Sequence, residues 1–430
     1  MVEGQVEMRY FLCDFHVHSS FSRATSPEMN LEGLVRWGKI KGLSIVGTGD
    51  FTHPSYFAEI KEKLEESEPG IYRLKKGERS VGLIITGEVC NIFDQGPKKN
   101  RRVHTLIFVP NIETAEKINK LLSHYGDLSQ DGRPTFTFPV KDLVKMVLDC
   151  SEDCLIVPAH AWTPWFSVFG ANSGFDSLEE CFEEEAKYVY AIETGLSSNP
   201  QMNWRISNLD RISIISNSDA HSPRHVAREA TAFCCELSYY EIVRAIKEKD
   251  PKGLAFTVEF FPEEGKYHYD GHRICGVLFS PKETKAHNYL CPKCGKPLTV
   301  GVMHRVEELA DRPEGFIPPG AIPAIHIIPL EEIIAEALGV GKGSKAVDRE
   351  YFRLIEQGES EFKVLLELPP EELRRIAPPK IYEGILRVRK GELEIVPGFD
   401  GVYGKIKIFP DSRDETPRDE KVPETQMKLF

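Results

Sequence analysis

The stretch Cys13-Asp14-Phe15-His16-Val17-His18-Ser19-Ser20 carries two histidines at positions i and i+2, directly after an apolar run that begins at Tyr10. Side chains two residues apart in a strand point to the same face, so His16 and His18 can reach one metal ion together. Two unrelated histidines on a half-exposed strand are the alternative, and so short a motif does not decide between them. The decision depends on whether metal-ligating side chains also follow other strands.

Short apolar strands alternate with amphipathic helical segments from residue 9 to about residue 260. The predicted strands are 10–15, 43–47, 81–86, 105–109, 155–158, 188–192, 212–216 and 230–234. The predicted helices between them include 30–41, 57–66, 112–123 and 140–149. Repeated strand-helix units predict an α/β fold built on a parallel sheet or a closed barrel.

Metal-ligating side chains follow nearly every predicted strand. They are Asp14, His16, His18, Asp50, His53, Glu88, His160, Glu193, Asp219 and His221. In an α/β barrel the carboxyl ends of the strands converge on one face, where active sites are built. His104 stands at the start of its predicted strand and is a further candidate. Solvated loops would explain any one of these residues, but not the same choice after six strands.

This set of ligands is larger than one zinc ion requires, since a catalytic zinc takes three protein ligands. The sequence therefore predicts two or three ions, with Glu88 as a bridging carboxylate. Closely spaced divalent ions lower the pKa of a shared water and stabilise both the attacking and the leaving oxygen at phosphorus. Phosphoester hydrolysis is the predicted reaction, with Asp219, Glu88, His221 and Glu193 as the catalytic residues. No Ser-His-Asp or Cys-His pattern competes, because the well-placed histidines serve better as ligands.

Two short knuckles follow the strand-helix region. Cys291-Pro292-Lys293-Cys294-Gly295 is preceded by His272-x-x-Cys275-Gly276, which has the same shape with His in place of Cys. Two such knuckles supply the four nitrogen and sulfur ligands of a closed structural zinc site. His304 or His287 are alternatives to His272 as the fourth ligand.

A glycine-rich turn separates two predicted helices near the C-terminus, one over residues 330–338 and one ending near residue 355. The turn runs Gly339-Val340-Gly341-Lys342 and is followed by Lys345. It resembles the hairpin of a helix-hairpin-helix motif, in which backbone amides approach a DNA phosphate. A glycine C-cap between two packed helices is the alternative.

The composition of the 430-residue chain limits its partners. The net charge is -12 and the isoelectric point about 5.7, so nucleic acid would be bound through local patches or metal ions rather than through a bulk positive field. The ten cysteines form no spaced disulfide framework, which indicates a reducing compartment. No apolar run approaches the roughly 20 residues that span a bilayer, so we expect a cytoplasmic protein with no membrane partner.

The motifs together resemble the polymerase-and-histidinol-phosphatase (PHP) superfamily. The matching residues are His16-x-His18, Thr48-Gly49-Asp50 with His53, Gly87-Glu88, Ala159-His160 and Ser218-Asp219-Ala220-His221. The resemblance implies a distorted (β/α)7 barrel that holds three metal ions. The family's Thr-Asp-His is spread over Thr48 to His53 here, which leaves open whether Asp50, His53 or both bind metal.

The cysteine knuckle and the segment 302–312 extend this resemblance to the endonuclease Q family. That family nicks DNA on the 5′ side of deaminated bases (uracil, hypoxanthine, xanthine) and abasic sites, leaving 3′-hydroxyl and 5′-phosphate ends. The resemblance implies damaged DNA as partner, a nucleoid location, and about three catalytic Zn²⁺ and one structural Zn²⁺, with Mg²⁺ or Mn²⁺ as options for the catalytic site. The expected division is a PHP barrel over 1–261, a zinc module over 262–312, a helical and β region that contacts DNA over 313–410, and a tail over 411–430.

Lesion recognition requires an extruded base to be held beside the metal site. The loop after His160 is rich in aromatic residues, and its candidates for the base pocket are Trp162, Trp165, Phe166, Asn172 and Ser173. Arg101 and Arg102, just before His104, are candidates for phosphate contacts. An ordinary aromatic lid and a solvated charged turn are the alternatives.

The chain ends in Gln426-Met427-Lys428-Leu429-Phe430. Gln426, Leu429 and Phe430 resemble a shortened sliding-clamp-binding peptide, for which the clamp PCNA would be the partner; a chance match is the alternative.

Two rival functions remain at this stage. A small-molecule phosphoesterase of the histidinol-phosphatase type would leave the zinc module and the hairpin as structural elements. A DNA-binding scaffold that only holds metals would have no need of so complete a ligand set.

Overall fold

The computed structural model describes residues 10–96 and 98–410 of the chain, which form a mixed α/β fold. The strands are β1 (Phe11–Asp14), β2 (Ile45–Gly47), β3 (Leu64–Glu68), β4 (Ile71–Leu74), β5 (Gly82–Gln95), β6 (Lys98–Val109), β7 (Thr135–Phe136), β8 (Leu155–Pro158), β9 (Ala191–Glu193), β10 (Ser213–Ile215), β11 (Ala230–Phe233), β12 (Leu254–Glu259), β13 (Asp270–His272), β14 (Val277–Phe279), β15 (Ala324–His326), β16 (Glu394–Val396) and β17 (Lys405–Lys407).

The helices lie mostly between these strands in the first part of the chain and follow one another near its end. They are α1 (Leu31–Lys41), α2 (Pro54–Lys63), α3 (Ile112–Leu122), α4 (Val140–Cys150), α5 (Leu178–Phe182), α6 (Pro200–Asn203), α7 (Tyr239–Lys247), α8 (Pro281–Ala286), α9 (Val302–Leu309), α10 (Leu330–Leu338), α11 (Lys345–Gly358), α12 (Pro370–Ile376) and α13 (Pro379–Lys390). Within the described ranges, no helix is long and apolar enough to cross a bilayer.

Eleven of the strands form one large sheet. Its centre is parallel, because β1 pairs with β2 and β2 pairs with β5 in the same direction. Antiparallel strands flank this centre: β11 pairs with β1, and β6 pairs with β5 and β8. The sheet is therefore mixed, with a parallel centre as expected and antiparallel flanks, since hairpins such as β5–β6 need no crossover helix between their strands.

The long hairpin β5–β6 changes the position of two predicted ligands. Glu88 was expected after a strand and His104 at the start of one, but both lie in the middle of this ladder. His104 pairs with Cys90, and Cys90 shares a face with Glu88 because residues i and i+2 of a strand point the same way. The register of the hairpin therefore brings Glu88 and His104 together.

The segment 57–66 is the other local correction. Its helix begins earlier, at Pro54, where proline fits the first helical turn because its missing N–H would have no partner there. The helix ends at Lys63, and Leu64–Glu68 continues as an edge strand paired with β4. The charged residues of that strand are exposed, as is usual for the edge of a sheet.

Helix α1 shows how local sequence fixes the ends of an element next to the site. Asn30 precedes it, and the Asn30 side chain accepts a hydrogen bond from the backbone N–H of Gly33 at 2.9 Å. Gly42 ends it with a φ of 97°, a left-handed conformation that favours glycine. The 11-residue helix is thereby held between β1 and β2.

The carboxyl ends of four strands approach one another outside the main ladder. The backbone N–H of Ala161, after β8, donates to the carbonyl of Glu193 in β9 at 2.9 Å. β9 pairs with β10 in parallel. Val17, after β1, forms a parallel bridge with Ala220, after β10. The segments that follow β1, β8, β9 and β10 thus meet in one place.

The C-terminal region packs directly on this sheet. One hydrophobic cluster extends from Leu12 to Ile408, and β15 joins the sheet by pairing with β12. The predicted helix 330–338 matches α10, while the next helix runs three residues further than expected, to Gly358. The boundary predicted at residue 312 therefore does not coincide with the edge of the sheet.

Candidate metal centre

Three overlapping groups of buried or half-buried side chains lie at the meeting point of these strands. Within each group the potential ligand atoms all lie within 4.8 Å of one another. The groups are His16–His18–Glu88, His18–Asp219–His221 and Glu88–His104–His160. Because they share His18 and Glu88, they form one continuous cluster. The structure thus brings together seven of the residues predicted as ligands.

The two histidines of the opening motif lie side by side, as their spacing predicts. Each uses Nδ1 to contact a carboxylate: His16 Nδ1 lies 3.0 Å from both oxygens of Glu193, and His18 Nδ1 lies 3.0 Å from Asp50 Oδ1. A carboxylate on one ring nitrogen fixes the tautomer and leaves the other nitrogen free to bind metal.

The Nε2 atom of His16 is the clearest indication that the cluster fits a metal ion. It is fully buried and has no hydrogen-bond partner. The nearest carboxylate oxygens, those of Asp219 and Glu88, lie 3.5 and 3.6 Å away. A buried polar atom without a partner is costly, and an ion between these three groups would satisfy it.

Glu88 stands between the groups and has contacts on both oxygens. Its Oε1 lies 2.8 Å from His104 Nδ1 and 3.1 Å from His160 Nε2. Its Oε2 lies 3.3 Å from His18 Nε2. This position is the one expected of a bridging carboxylate.

The loop after β10 supplies Asp219 and His221. Asp219 Oδ1 lies 3.1 Å from His18 Nε2, and the ring of His221 lies 4.3 Å from that of His18. The backbone at Asp219 has a φ of 48°, and His160 has a φ of 30°. Left-handed backbone in residues other than glycine is strained and concentrates at functional sites.

Asp50 and His53 do not belong to any of the three groups. Asp50 is fully occupied as a support for His18, because its Oδ2 accepts hydrogen bonds from Ser19 and from Ser22 Oγ at 2.8 Å. His53 caps helix α2 through Nδ1, and its Nε2 donates to the carbonyl of Ser129 at 3.2 Å. The prediction that His53 is a metal ligand is therefore corrected to a local structural role.

Glu193, predicted as catalytic, is likewise a supporting residue. Besides His16 it accepts hydrogen bonds from the backbone of His160 at 2.8 Å and from the Asn217 amide at 2.9 Å. Sequence patterns did not identify Asn217, because no spacing rule links it to β9. Asp14 also acts from outside the cluster, because it accepts from Ser218 and Ala227 and so fixes the loop that carries Asp219.

The electrostatics of the cluster favour cations. Burial alone would lower the pKa of His16, but the carboxylates of Glu193, Asp219 and Glu88 raise it well above its ordinary value. Burial would raise the pKa of Glu88, yet His104, Arg133 and His16 hold it well below its ordinary range. Glu88 therefore stays ionised and attracts positive charge.

Arg133 is the second residue that sequence patterns did not reveal. Its Nη1 donates to Glu88 Oε2 at 2.9 Å, and its side chain is 30% exposed. The signal for it was absent because Arg133 lies in a loop without any recognisable motif and far along the chain from Glu88.

The predicted zinc knuckle forms a fourth, separate group. His272, Cys275, Cys291 and Cys294 place their ligand atoms within 4.8 Å of one another. Neither of the alternatives joins them: His304 Nδ1 contacts Asp270 Oδ2 at 2.7 Å, and His287 Nδ1 donates to the carbonyl of Glu283 at 2.9 Å. Burial would raise the pKa of Cys291, but backbone N–H donors from Lys293 and Cys294 lower it to about 6. All ten cysteines are free thiols.

The aromatic loop divides into buried and exposed parts. Trp162 is buried, with its Nε1 donating to Asn203 Oδ1 at 2.8 Å, and Ser173 is buried with its hydroxyl accepting from the backbone of Phe166 at 3.1 Å. Trp165 is 49% exposed, and Asn172 is exposed. The ring of half-buried Phe166 lies 4.8 Å from that of His104.

The two arginines before His104 also differ. Arg101 is buried, contacts the carbonyl of Gly174 and Glu180, and lies 3.9 Å above the Phe175 ring. It is therefore not available to a phosphate, which corrects its predicted role. Arg102 is half-buried and lies about 5 Å from the rings of Trp165 and Phe166.

The glycine turn connects α10 and α11 as expected. Gly339 caps α10 with a φ of 66°, and Lys345 begins α11 after the Ser344 cap. Lys342 is exposed and donates to Glu332 at 2.8 Å, while Gly341 has open space around it. The terminal residues Gln426, Leu429 and Phe430 lie outside the described residues.

One family model and two known proteins are similar in sequence to this chain. Residues 329–392 match the family described as MJ0043 C-terminal domain. The uncharacterized protein YqxK of Bacillus subtilis is 29% identical over 419 residues, which cover 93% of this chain and 100% of YqxK. The uncharacterized protein MJ0043 of Methanocaldococcus jannaschii is 34% identical over 261 residues, or 58% of this chain and 32% of that protein.

Two solved structures match nearly the whole chain. The lesion-specific endonuclease PfuEndoQ from Pyrococcus furiosus is 30% identical with a TM-score of 0.82, covering 93% of this chain and 95% of that one. Endonuclease Q in complex with a 27-mer duplex substrate bearing an abasic lesion at the active site is 31% identical with a TM-score of 0.81, covering 94% and 97%. Since both the fold and the sequence agree over almost their full lengths, this chain belongs to the endonuclease Q family.

Proposed function

We propose that this protein is a metal-dependent DNA repair endonuclease that cuts the phosphodiester on the 5′ side of deaminated bases and abasic sites, leaving 3′-hydroxyl and 5′-phosphate ends. As a member of the endonuclease Q family it is a hydrolase of DNA phosphodiester bonds. The observation that carries the metal dependence is the buried Nε2 of His16, which has no partner and faces the oxygens of Asp219 and Glu88.

The residues present fit a cluster of divalent ions. His16, His18, Glu88, His104, His160, Asp219 and His221 would hold them, and we expect about three Zn²⁺, with Mg²⁺ or Mn²⁺ as options. Such ions supply a Lewis acid for the phosphate and lower the pKa of the attacking water.

The protein's own side chains supply orientation and charge. Glu193 and Asp50 hold the rings of His16 and His18 so that each Nε2 faces the cluster. Burial keeps bulk water away from the carboxylates, which strengthens every charge interaction in the site. Asp219 and Glu88 remain ionised at neutral pH, since the neighbouring histidines lower the pKa of both groups.

Deaminated bases fit best in the space next to the exposed part of the aromatic loop. Trp165 and Phe166 offer apolar surface on which an extruded base can stack, and Asn172 offers both a donor and an acceptor to its edge. Arg102 lies beside these rings and supplies positive charge for the backbone. Trp162 and Ser173, being buried and hydrogen-bonded, support the loop rather than contact the base.

The remaining regions fit a DNA-binding enzyme of this kind. The large sheet contains β1, β2, β5, β6 and β8, and the separate pair β9–β10 lies beside it. These strands would form the distorted seven-stranded PHP barrel expected over 1–261. His272, Cys275, Cys291 and Cys294 would hold one structural zinc within 262–312. The α10–α11 turn with Gly339, Gly341, Lys342 and Lys345 would present backbone amides and charge to a phosphate within 313–410.

The tail 411–430 is the part of the proposal that rests on sequence alone. Gln426, Leu429 and Phe430 would bind the sliding clamp PCNA, which would deliver the enzyme to DNA in the nucleoid.

The decisive experiment compares a large and a small phosphoester. The protein is incubated with divalent metal and either a uracil-containing duplex, its thymine-containing control, or p-nitrophenyl phosphate. We expect nicking of the uracil duplex only, and its loss in the Asp219→Ala variant. Hydrolysis of p-nitrophenyl phosphate without nicking would support a histidinol-phosphatase-type enzyme instead, and binding without hydrolysis would support a metal-holding scaffold.

The base pocket has its own test. Replacement of Trp165 or Asn172 by alanine should reduce the discrimination between uracil and thymine in the duplex. Unchanged discrimination in both variants would show that the base is held elsewhere.

A further inference from the structure

Arg133 lies at the edge of the metal cluster, where it contacts Glu88 without belonging to any of the groups of potential ligands. Its Nη1 donates to the inner oxygen, Oε2, of Glu88 at 2.9 Å. Glu88 is completely buried, whereas 30% of the Arg133 side chain is exposed. The guanidinium therefore reaches from the buried carboxylate to the open side of the site.

The loop that carries Arg133 is fastened at several points to the segments that form the cluster. The carbonyl of Gly132 accepts from Thr52 Oγ1 at 3.2 Å, and the N–H of Gly132 donates to the carbonyl of Phe21 at 3.1 Å. The carbonyl of Ser129 accepts from His53 Nε2, and that of Pro134 accepts from the N–H of Cys90 at 2.9 Å. Arg133 is thus held in place independently of its bond to Glu88.

Gly132 shows how closely this loop approaches the site. A Cβ atom at this position would collide with Asp50 Oδ2 and with Ser22 Oγ. Those two atoms are hydrogen-bonded to each other, and the other oxygen of Asp50 supports His18. Only glycine allows the backbone to pass here, so the approach of the loop to the cluster is built into the sequence.

A counter-ion for Glu88 alone would not require this arrangement. Glu88 already lies within 3.3 Å of His18, His104 and His160, and bound divalent ions would neutralise it further. A guanidinium has five N–H donors in a planar fork, which matches the spacing of two phosphate oxygens. One donor on Glu88 orients the fork, and its other N–H groups have no hydrogen-bond partner among the described residues, while 30% of the side chain is exposed.

We propose that Arg133 is a phosphate-binding residue that contacts a non-bridging oxygen of the scissile phosphodiester. This inference rests on the proposed function and adds to it a residue outside the metal ligands. In this role Arg133 stabilises the negative charge of the phosphate, as charge-assisted hydrogen bonds do in phosphoryl transfer sites.

The test compares a charged with a neutral linkage at the scissile position. Duplexes carry one uracil and either a normal phosphate or a methylphosphonate on its 5′ side, and their binding is measured by fluorescence anisotropy. All proteins carry Asp219→Asn so that the duplex stays intact, which is verified on gels. The metal content of each protein is measured by mass spectrometry, and its melting temperature is recorded.

We expect Arg133→Met to weaken binding of the normal duplex by about tenfold or more, which is the effect of losing a hydrogen bond between charged groups. It should not weaken binding of the methylphosphonate duplex further, because the charge that Arg133 contacts is already gone. Arg133→Lys should recover part of the loss, since it retains charge without the fork. Arg102→Met, the matched control, should weaken both duplexes by the same factor.

Two outcomes would overturn the inference and leave Arg133 as a counter-ion of Glu88. In the first, Arg133→Met weakens the binding of both duplexes by the same factor. In the second, the variant loses metal while its DNA binding is unchanged. Failure of the proposed function is distinguishable from this outcome. In that case the protein with Arg133 intact would neither bind the uracil duplex in preference to its thymine control nor nick it without the Asp219→Asn change.

Discussion

The Nδ1 atom of His16 lies 3.0 Å from both carboxylate oxygens of Glu193, while the Nε2 atom of the same ring is buried without a partner. This pair of observations describes an imidazole that is oriented for a metal ion by a residue at the end of a different strand. Carboxylate partners of this kind raise the basicity of the ligand and fix its tautomer.

Replacing Glu193 with glutamine should therefore weaken metal binding rather than abolish folding. The amide cannot accept on both atoms, so the His16 ring loses its fixed orientation. We expect the metal affinity of the cluster to fall about 10-fold to 100-fold, measured by titration of metal-stripped protein. Exposed Glu184, changed to glutamine, is the control and should bind metal normally. Equal affinities in the two variants would mean that Glu193 does not support the ligand.

Metal uptake should release protons. In the metal-free protein, carboxylates raise the pKa of both His16 and His18 above the ordinary value despite burial, so these rings are protonated at neutral pH. A metal ion binds the neutral ring, and the proton must leave. Metal affinity should consequently fall as the pH falls. Calorimetric titrations in buffers of different ionisation enthalpy measure the protons released, and a value of zero at neutral pH would contradict this charge state.

Removal of one knuckle cysteine should release the structural zinc and leave the ions of the catalytic cluster bound. Cys294→Ser removes one of four ligands from a site whose own hydrophobic cluster contains only Val277, Cys291 and Leu298 among its buried members. We expect one fewer zinc per chain by mass spectrometry and earlier unfolding of this module. Cys234→Ser, which changes a half-buried thiol outside the candidate metal groups, should retain the full metal content. An unchanged zinc count in Cys294→Ser would rule out the assignment of this ligand.

Glu259 should make the protein less stable as the pH rises. Burial raises the pKa of this carboxyl to about 8, against the opposing effect of the hydroxyls of Thr257, Thr194 and Ser216. Between its ordinary pKa of 4.5 and about 8 the folded state holds a proton that the unfolded state releases. The free energy of unfolding therefore falls with increasing pH in that window, by up to about 1.4 kcal/mol per pH unit. In Glu259→Gln this dependence should be reduced. Denaturant curves at pH 5 and pH 8 measure the change in the free energy of unfolding for each protein. The same change in wild type and in Glu259→Gln would refute the prediction.

A buried ion pair joins the sheet region to the C-terminal helices. Lys41 Nζ at the end of α1 lies 2.5 Å from Glu361 Oε2, and both side chains are at most 5% exposed. Glu361 also accepts hydrogen bonds from Tyr351 and from the backbone of Leu330.

Lys41→Met should destabilise the fold by about 3–5 kcal/mol, because it leaves a buried carboxylate without its cation. The exposed pair of Lys39 with Glu78 provides the control, and Lys39→Met should cost less than about 1 kcal/mol. Similar losses in the two variants would mean that the buried pair has no special role.

The parts of the site that sequence predicted are those that depend on short-range geometry. His16 and His18 share a face because residues i and i+2 of an extended chain always do. The same reasoning predicted from their spacing the four knuckle residues whose ligand atoms lie within 4.8 Å of one another. The ordered motifs indicated the PHP superfamily, and the knuckle with the segment 302–312 indicated the endonuclease Q family, which the comparisons confirm.

The parts that were missed depend on contacts between distant segments. Glu88 and His104 were placed at strand ends because nothing in the sequence shows that β5 and β6 continue as one long hairpin through both residues. His53 has the right residue type in the right region, but a helix begins immediately after it and takes its Nδ1 as a cap. Arg133 reaches Glu88 across 45 residues, and only the folded structure shows that distance closed.

The most direct test of the account is the position of the cut on an end-labelled duplex with a single uracil, before and after metal is removed and restored. We predict a nick at the phosphodiester immediately 5′ of the uracil, with a 3′-hydroxyl that a polymerase can extend. The nick should disappear when the metal is stripped and return when it is restored. A cut on the 3′ side of the lesion, or cutting that persists without metal, would contradict the assignment of His16, Glu88 and Asp219 to a hydrolytic metal centre.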